Sequence, residues 1–150
     1  EGCKSLTSIN VPSLVHSSSR AFVGCDSLSS INVEKGNNDF LSRDGVLYDK
    51  SGEELLCFPE GKGNSYSIPK GVKKIGAFAF ANCSNLKSVN IPNSVTSIAT
   101  TSFEGCTSLK TLSVPSSVSK ISYPTFYELN IKVKYKGKTY TKNNMKEIYS

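Results

Sequence analysis

The stretch CSNLKSVNIPNSVTSIATTSF, residues 83–103, decides the fold, because CTSLKTLSVPSSVSKISYPTF, residues 106–126, repeats its pattern 23 residues later. Cys, Leu, Pro, Val, Ile and Phe return in the same columns. Two less regular units begin at Cys3 and Cys25, and the second is soon interrupted. Repetition with a period of about 20–50 residues is typical of solenoids and other repeat architectures. The upstream unit keeps the same columns as Ile68, Pro69, Val72, Ile75 and Phe80.

The spacing within a unit predicts how each turn folds. Leu-x-x-Ile-x-Ile ends in alternation of period two, which indicates a short strand with one apolar face. The proline that follows ends the strand, and Val-x-x-Ile then places a second apolar edge inward. Turns stacked about 4.8 Å apart bury one another's side chains, including a column formed by Phe80, Phe103 and Phe126. Parallel strands are expected near residues 6–11, 28–33, 66–68, 86–91 and 109–114.

These columns resemble the BspA-like leucine-rich repeats of bacterial surface proteins, whose pattern is C-x-x-L-x-x-I-x-I-P-x-x-V-x-x-I followed by Ala-Phe. The resemblance covers essentially residues 1–129, and it departs from the pattern at Ser18, where Ile is expected. It implies a right-handed leucine-rich-repeat coil with few helices over residues 1–130. It also implies a secreted or cell-surface bacterial protein. Because the chain opens inside a repeat unit, we expect further sequence upstream, including an export signal.

Residues 34–65 interrupt the period and predict an inserted β-hairpin, with residues 46–48 and 55–58 as its arms. The arm at residues 55–58 ends like a repeat strand, with Leu56, Phe58 and Pro59 in the Ile-x-Ile-Pro positions. One arm is therefore expected to join the main sheet while the other projects. The hairpin is either a stabilising addition or a raised contact surface. In the second case the candidate ligand contacts are Tyr48 and Phe58.

Residues 131–150 predict a cap, because the repeat fails where Lys132 stands in a buried Leu column. Apolar residues alternate with lysines up to a tight turn at Lys136-Gly137, and a short helical segment is expected near residues 144–149. Of the net charge of +6, this segment contributes +5, from six lysines and Glu147. The segment either caps the solenoid with a polar face or binds an anionic surface.

The sequence carries no pattern typical of an enzyme. His16 stands beside serines but has no orienting acid in the pattern, and Gly61-Lys62-Gly63 lacks the spacing of a phosphate-binding loop. No metal-ligand spacing occurs either. We therefore predict no catalytic residue, no cofactor and no metal.

The four cysteines that share one repeat column are predicted to be reduced and inaccessible. Four of the five fall in one repeat column, where stacked neighbours lie farther apart than a disulfide prefers. Cys57 lies outside this column, in the insertion. The four column residues are Cys3, Cys25, Cys83 and Cys106.

The outward residues of the predicted sheet are the main candidate contact surface. The resemblance implies a binding or adhesion module for proteins or glycans, including host-derived ones. The alternatives are a structural spacer that presents another domain and, less favoured, binding of anionic surfaces by the lysine-rich end. We expect no nucleic acid partner, no membrane insertion and a monomer. The candidate contacts on the sheet are Ser8, Asn10, Ser30, Asn32, Lys87, Ser88, Asn90, Lys110, Thr111 and Ser113.

Overall fold

The computed structural model describes residues 3–13, 19–22, 24–126 and 128–150. The chain forms a β-solenoid of about five turns with almost no helix, as the repeat pattern predicts. Helix in the described residues is limited to two short 3₁₀ segments, Ser19–Phe22 and Met145–Tyr149. The strands are β1 (Ser8–Val11), β2 (Ser30–Val33), β3 (Phe40–Arg43), β4 (Val46–Asp49), β5 (Glu54–Cys57), β6 (Ser65–Ser67), β7 (Lys74–Ile75), β8 (Ser88–Asn90), β9 (Ser97–Ile98), β10 (Thr111–Val114), β11 (Lys120–Ile121), β12 (Lys132–Tyr135) and β13 (Lys138–Tyr140).

One side of the solenoid carries the predicted main sheet. β1 pairs with β2, β6 with β8 and β10 with β12, all in parallel register. Four of the five strands are shorter than predicted, because the Leu that opens each pattern belongs to the β-turn before the strand; β6 keeps its predicted length and begins one residue earlier. The N–H groups of Leu28 and Leu86 donate to the carbonyls of Cys25 and Cys83 at 2.8 and 3.0 Å, and are not available to a neighbouring strand.

The opposite side carries a second sheet, in the order β11-β9-β7-β5-β4-β3. Its parallel part consists of two-residue strands formed by the end of each Val-x-x-Ile pattern, so that Ile75, Ile98 and Ile121 lie side by side. All three are buried. The second apolar edge of each turn is therefore a regular strand ladder, which the pattern did not specify.

A column of aromatic rings fills the space between the two sheets. The Phe80 and Phe103 ring centroids lie 5.1 Å apart with an interplanar angle of 3°, and Phe103 and Phe126 lie 5.7 Å apart. All three rings are fully buried, which confirms the predicted column. Phe58 extends it, since its ring lies 5.4 Å from that of Phe80.

The insertion forms a hairpin of β4 and β5, as predicted, but neither arm projects. β5 joins the second sheet rather than the main one, and Leu55 pairs with Ile75 of β7. The Phe58 N–H donates to the Ala79 carbonyl at 2.7 Å, which places Phe58 one turn before Phe80. The expectation that Leu56 and Phe58 restore the main strand is therefore wrong. The insertion instead restores the Val-x-x-Ile edge and the Phe position of the interrupted turn.

The insertion also divides the interior into two apolar clusters. Leu47 and Cys57 pack with the N-terminal cluster around Leu28 and Ile31. Val46, Tyr48, Leu55 and Phe58 pack with the larger cluster that continues to the C-terminal end. Since β4 and β5 contribute buried side chains to both clusters, the insertion lies between the two clusters inside the solenoid.

The C-terminal segment forms the predicted hairpin cap. β12 continues the main sheet in parallel with β10, and β13 folds back antiparallel to it. Val133, Tyr135 and Tyr140 are buried on the inner side. The following 3₁₀ segment buries Met145 and Ile148, and these side chains cover the end of the larger cluster.

The described cysteines are free, and four of the five are buried. Burial raises the pKa of the Cys57 and Cys106 thiols to about 12, and the Cys106 thiol also donates to the Phe80 carbonyl at 3.0 Å. Cys3 is exposed, so the prediction that it is inaccessible is wrong. Its turn, the one that contains β1, is paired on one side only, with β2.

This difference predicts the number of reactive thiols. One thiol per chain, that of Cys3, should react with Ellman's reagent within the mixing time at pH 8, because thiolate formation at the buried positions requires local unfolding. All five should react after denaturation. In the control variant Cys3→Ser the rapid phase should be absent. A second rapidly reacting thiol in the folded wild-type chain would contradict the assigned burial.

Candidate binding surface

The exposed side of the main sheet presents two rows of side chains, because residues of a strand alternate between its two faces. In the first row, Ser8 lies beside Ser30, Ser65 beside Ser88 and Thr111 beside Lys132. The second row lies two residues further along each strand. It consists of Asn10, Asn32, Ser67, Asn90, Ser113 and Lys134.

The insertion separates the N-terminal part of these rows from the rest. The Ile31 N–H donates to the Gly45 carbonyl at 2.8 Å, and the Val33 N–H donates to the Ser42 hydroxyl at 2.9 Å. β2 therefore has the β3–β4 turn as its neighbour on this side instead of β6. Gly45 contacts Ser30 so closely that a Cβ atom there would lie 2.8 Å from the Ser30 Oγ. Ser30 is half-buried as a result.

The C-terminal part of the rows, from β6 to β13, is the larger candidate surface. It brings together Ser88, Asn90, Thr111 and Ser113, all of which are exposed. A shallow groove of about 360 Å³ crosses β6, β8 and β10, where the β6–β8 pair adjoins the separate β10–β12–β13 sheet. Its walls carry hydroxyl and amide groups, which suit hydrogen bonding to a polar ligand.

The two flanking lysines of the sheet, Lys87 and Lys110, are also exposed. Each immediately precedes its strand. The Lys110 ammonium donates to the Thr107 carbonyl at 2.8 Å, which holds it close to the turn before β10. The Lys87 backbone N–H donates to the Asn64 carbonyl, which ties this turn to the one before β6. Both lysines thus stand at strand starts that border the polar rows.

Tyr48 and Phe58 do not belong to a contact surface, which corrects the expectation for the insertion. Tyr48 is fully buried and Phe58 is 2% exposed. The Tyr48 hydroxyl is hydrogen bonded to the Tyr66 hydroxyl, and the Phe58 ring stacks on the Tyr66 ring at 4.9 Å. Both side chains complete the core of a turn whose repeat pattern is broken, so they are not available to a ligand.

Several exposed residues of the surface were not among the predicted contacts. Ser65 and Ser67 extend both rows onto β6, and Lys132, Lys134 and Thr139 extend them onto the cap. The signal for the two lysines was their alternation with Ile131, Val133 and Tyr135. In the sequence that alternation indicates a cap, and in the structure β12 is also a further strand of the same sheet as β10.

The most buried carboxylate in the described chain is explained by local structure. Glu60 is 7% exposed, and its carboxylate accepts a hydrogen bond from the Gly24 N–H at 2.8 Å. Burial raises the pKa of Glu60, and the neighbouring Asp26 carboxylate raises it further, while the hydrogen bonds from Gly24 and Asn82 lower it. These contacts join adjacent turns of the solenoid.

Two further observations concern the described residues. They contain no group of three or more His, Cys, Asp or Glu side chains placed to hold a metal ion. They also contain no helix with the length and apolar character needed to cross a bilayer. His16 lies outside the described residues.

Comparison with known proteins agrees with the geometry. Six copies of the repeat that defines the "BspA type Leucine rich repeat region" match residues 1–43 and 56–149. The unmatched residues 44–55 lie within the insertion. The chain therefore belongs to the BspA-type leucine-rich-repeat family. The comparison with curated proteins gave no match.

Two of the solved structures that are similar to the chain cover most of its length. One is a leucine-rich repeat protein from Eubacterium ventriosum, with a TM-score of 0.74 and 26% identity over 86% of this chain. The other is the pneumococcal vaccine antigen PcpA, with a TM-score of 0.69 and 31% identity over 77% of this chain. The chain spans 36% and 29% of the lengths of these two proteins, respectively.

Proposed function

We propose that this chain is a non-catalytic binding module of an exported bacterial protein. In this proposal it acts outside the cell or at the cell surface, and contacts a protein or glycan through the C-terminal part of the main sheet. The observation that carries the proposal is the pair of polar rows from β6 to β13, whose side chains are exposed, and are in register within the β6–β8 pair and within the β10–β12–β13 sheet. The description of PcpA as a vaccine antigen supports the location.

The composition of the surface favours a ligand held by many weak polar contacts. Residues that dominate tight protein interfaces are Trp, Tyr and Arg, and the exposed positions of β6, β8 and β10 carry Ser, Thr and Asn instead. Hydroxyl and amide groups donate and accept hydrogen bonds in several directions. These positions therefore suit a hydroxyl-rich ligand with repeating units better than a ligand that binds by inserting one apolar group into a deep pocket.

An array of neutral glycans, acidic glycans and extracellular-matrix proteins tests this function. Binding by the wild-type chain should be lost in the variant Ser88→Gln/Thr111→Gln, which places longer side chains in the first row. The matched control Thr96→Gln/Ser119→Gln makes the same changes on the other side of the solenoid, at exposed positions. It should bind like the wild type, and both variants should keep the wild-type melting curve.

Three results would count against the proposal. Equal binding by the row variant and the control would place the contact elsewhere. An absence of binding across the whole array would favour the alternative that the repeats are a structural spacer. Turnover of an arrayed glycan or protein would contradict the non-catalytic part.

A further inference from the structure

Two lysines, Lys132 and Lys134, lie on β12 at the C-terminal end of the polar rows. Lys73 and Lys74 pair with Glu53 and Glu54 at 2.7 and 3.0 Å. Lys138 pairs with Glu147 at 2.5 Å, which uses the only carboxylate side chain of residues 131–150. Among the ion pairs of the described residues, none includes Lys132 or Lys134. Both side chains are exposed.

Strand register places these two lysines next to residues that carry hydroxyl groups. Lys132 lies beside Thr111, and Lys134 lies between Ser113 on β10 and Thr139 on β13. Two residues apart on one strand, the lysine Cα atoms are separated by about 7 Å on the same face. The sheet thus offers positive charges at regular intervals, with hydrogen-bonding groups between them.

Two shallow depressions flank this pair, one at each end of β12. The depression at the end of β12 that holds Lys134 is lined by Ser113, Ser116, Lys136, Lys138 and Thr139 as well. The depression at the other end is lined by Lys110, Lys132, Lys142, Asn130 and Thr141, among others. Neither depression has a carboxylate in its lining. Three lysines thus line each end of β12; of these, Lys138 is paired with Glu147, and Lys142 also lines a neighbouring depression that contains Glu128.

From this charge complementarity we infer that the cap end of the main sheet binds a linear acidic glycan, with Lys132 and Lys134 contacting successive anionic groups and Thr111, Ser113 and Thr139 contacting sugar hydroxyls. This inference rests on the proposed function, since it names the ligand class and the part of the polar rows that holds it. The contacts are charge-assisted hydrogen bonds. No bond is made or broken.

The surroundings favour a glycan over other polyanions. Binding in a membrane interface requires exposed apolar side chains, and the large exposed hydrophobic residues among those described are Leu6 and Tyr123, neither of which belongs to this face. Single-stranded nucleic acid binding uses exposed aromatic rings for stacking. Tyr135 and Tyr140 are buried beneath the sheet, at 8% and 9% exposure.

The test compares dextran sulfate with dextran, which share one backbone and differ in charge. By surface plasmon resonance at low salt, wild-type protein should bind dextran sulfate and polygalacturonate, and not dextran. The variant Lys132→Gln/Lys134→Gln should bind both acidic polymers about tenfold more weakly, since it removes two exposed charge contacts. The matched control Lys70→Gln/Lys120→Gln makes the same change in net charge at exposed positions outside the rows, and should lose less than about twofold.

Several outcomes overturn the inference. Equal losses in the two double variants would mean that net charge, and not this face, governs binding. Equal or tighter binding of poly-L-glutamate or phosphatidylglycerol vesicles would identify an acidic protein or a membrane as the partner. If the row variant Ser88→Gln/Thr111→Gln loses a neutral ligand on the array while the lysine variant binds dextran sulfate normally, the inference fails and the proposed function stands. An array without binders and insensitivity to the lysine variant together reject both.

Discussion

Replacing Phe103 by alanine is expected to lower the free energy of unfolding by about 3–5 kcal/mol. The Phe103 ring is fully buried between the rings of Phe80 and Phe126, at 5.1 and 5.7 Å. Its removal takes away two ring contacts and leaves a cavity that the rigid strands on both sides cannot close. Urea unfolding followed by circular dichroism measures the change as a shift of the midpoint at constant slope.

Lys110→Ala is the control for this prediction. Lys110 is exposed, and its ammonium group contacts only the Thr107 carbonyl among the hydrogen bonds of the described residues. Its loss should change the free energy of unfolding by no more than about 0.5 kcal/mol. Similar destabilisation by the two substitutions would mean that the inward and outward columns are wrongly assigned.

The period of the sequence was sufficient for the parts of the fold that repeat. Column identity alone placed Phe80, Phe103 and Phe126 in one stack, and it placed five strands of the main sheet at the right positions. This worked because each turn of a solenoid is buried mainly by its neighbours, so equivalent residues have equivalent surroundings. Cys3 shows the limit of that logic. It occupies the same column as Cys83, but its turn is paired on one side only.

The insertion could not be placed from the sequence for a related reason. Its apolar residues match the wrong part of the repeat more fully: Leu56-Cys57-Phe58-Pro59 fits Ile-x-Ile-Pro, whereas Leu55 fits only the last residue of Val-x-x-Ile, with Gly52 in the Val position. Only the pairing with β7 selects the second alternative. Which residues belong to the candidate surface depends on which of the two sheets β5 joins. With β5 in the second sheet, Tyr48 and Phe58 are buried. The β3–β4 turn then lies beside β2 and interrupts the polar rows next to Ser30.

Two adjacent leucines of β5 separate these alternatives by experiment. Leu55→Ala should lower the free energy of unfolding by about 2–5 kcal/mol, because Leu55 is fully buried beside Ile75 in the larger apolar cluster. Leu56→Ala should cost about 1 kcal/mol or less, because Leu56 is only partly buried and packs at the margin of the smaller cluster. The two variants remove the same atoms from neighbouring positions, so each is the control for the other. Their free energies of unfolding are compared by urea denaturation. A main-sheet strand with Leu56 and Phe58 pointing inward would reverse the order, with Leu56→Ala the more destabilising change.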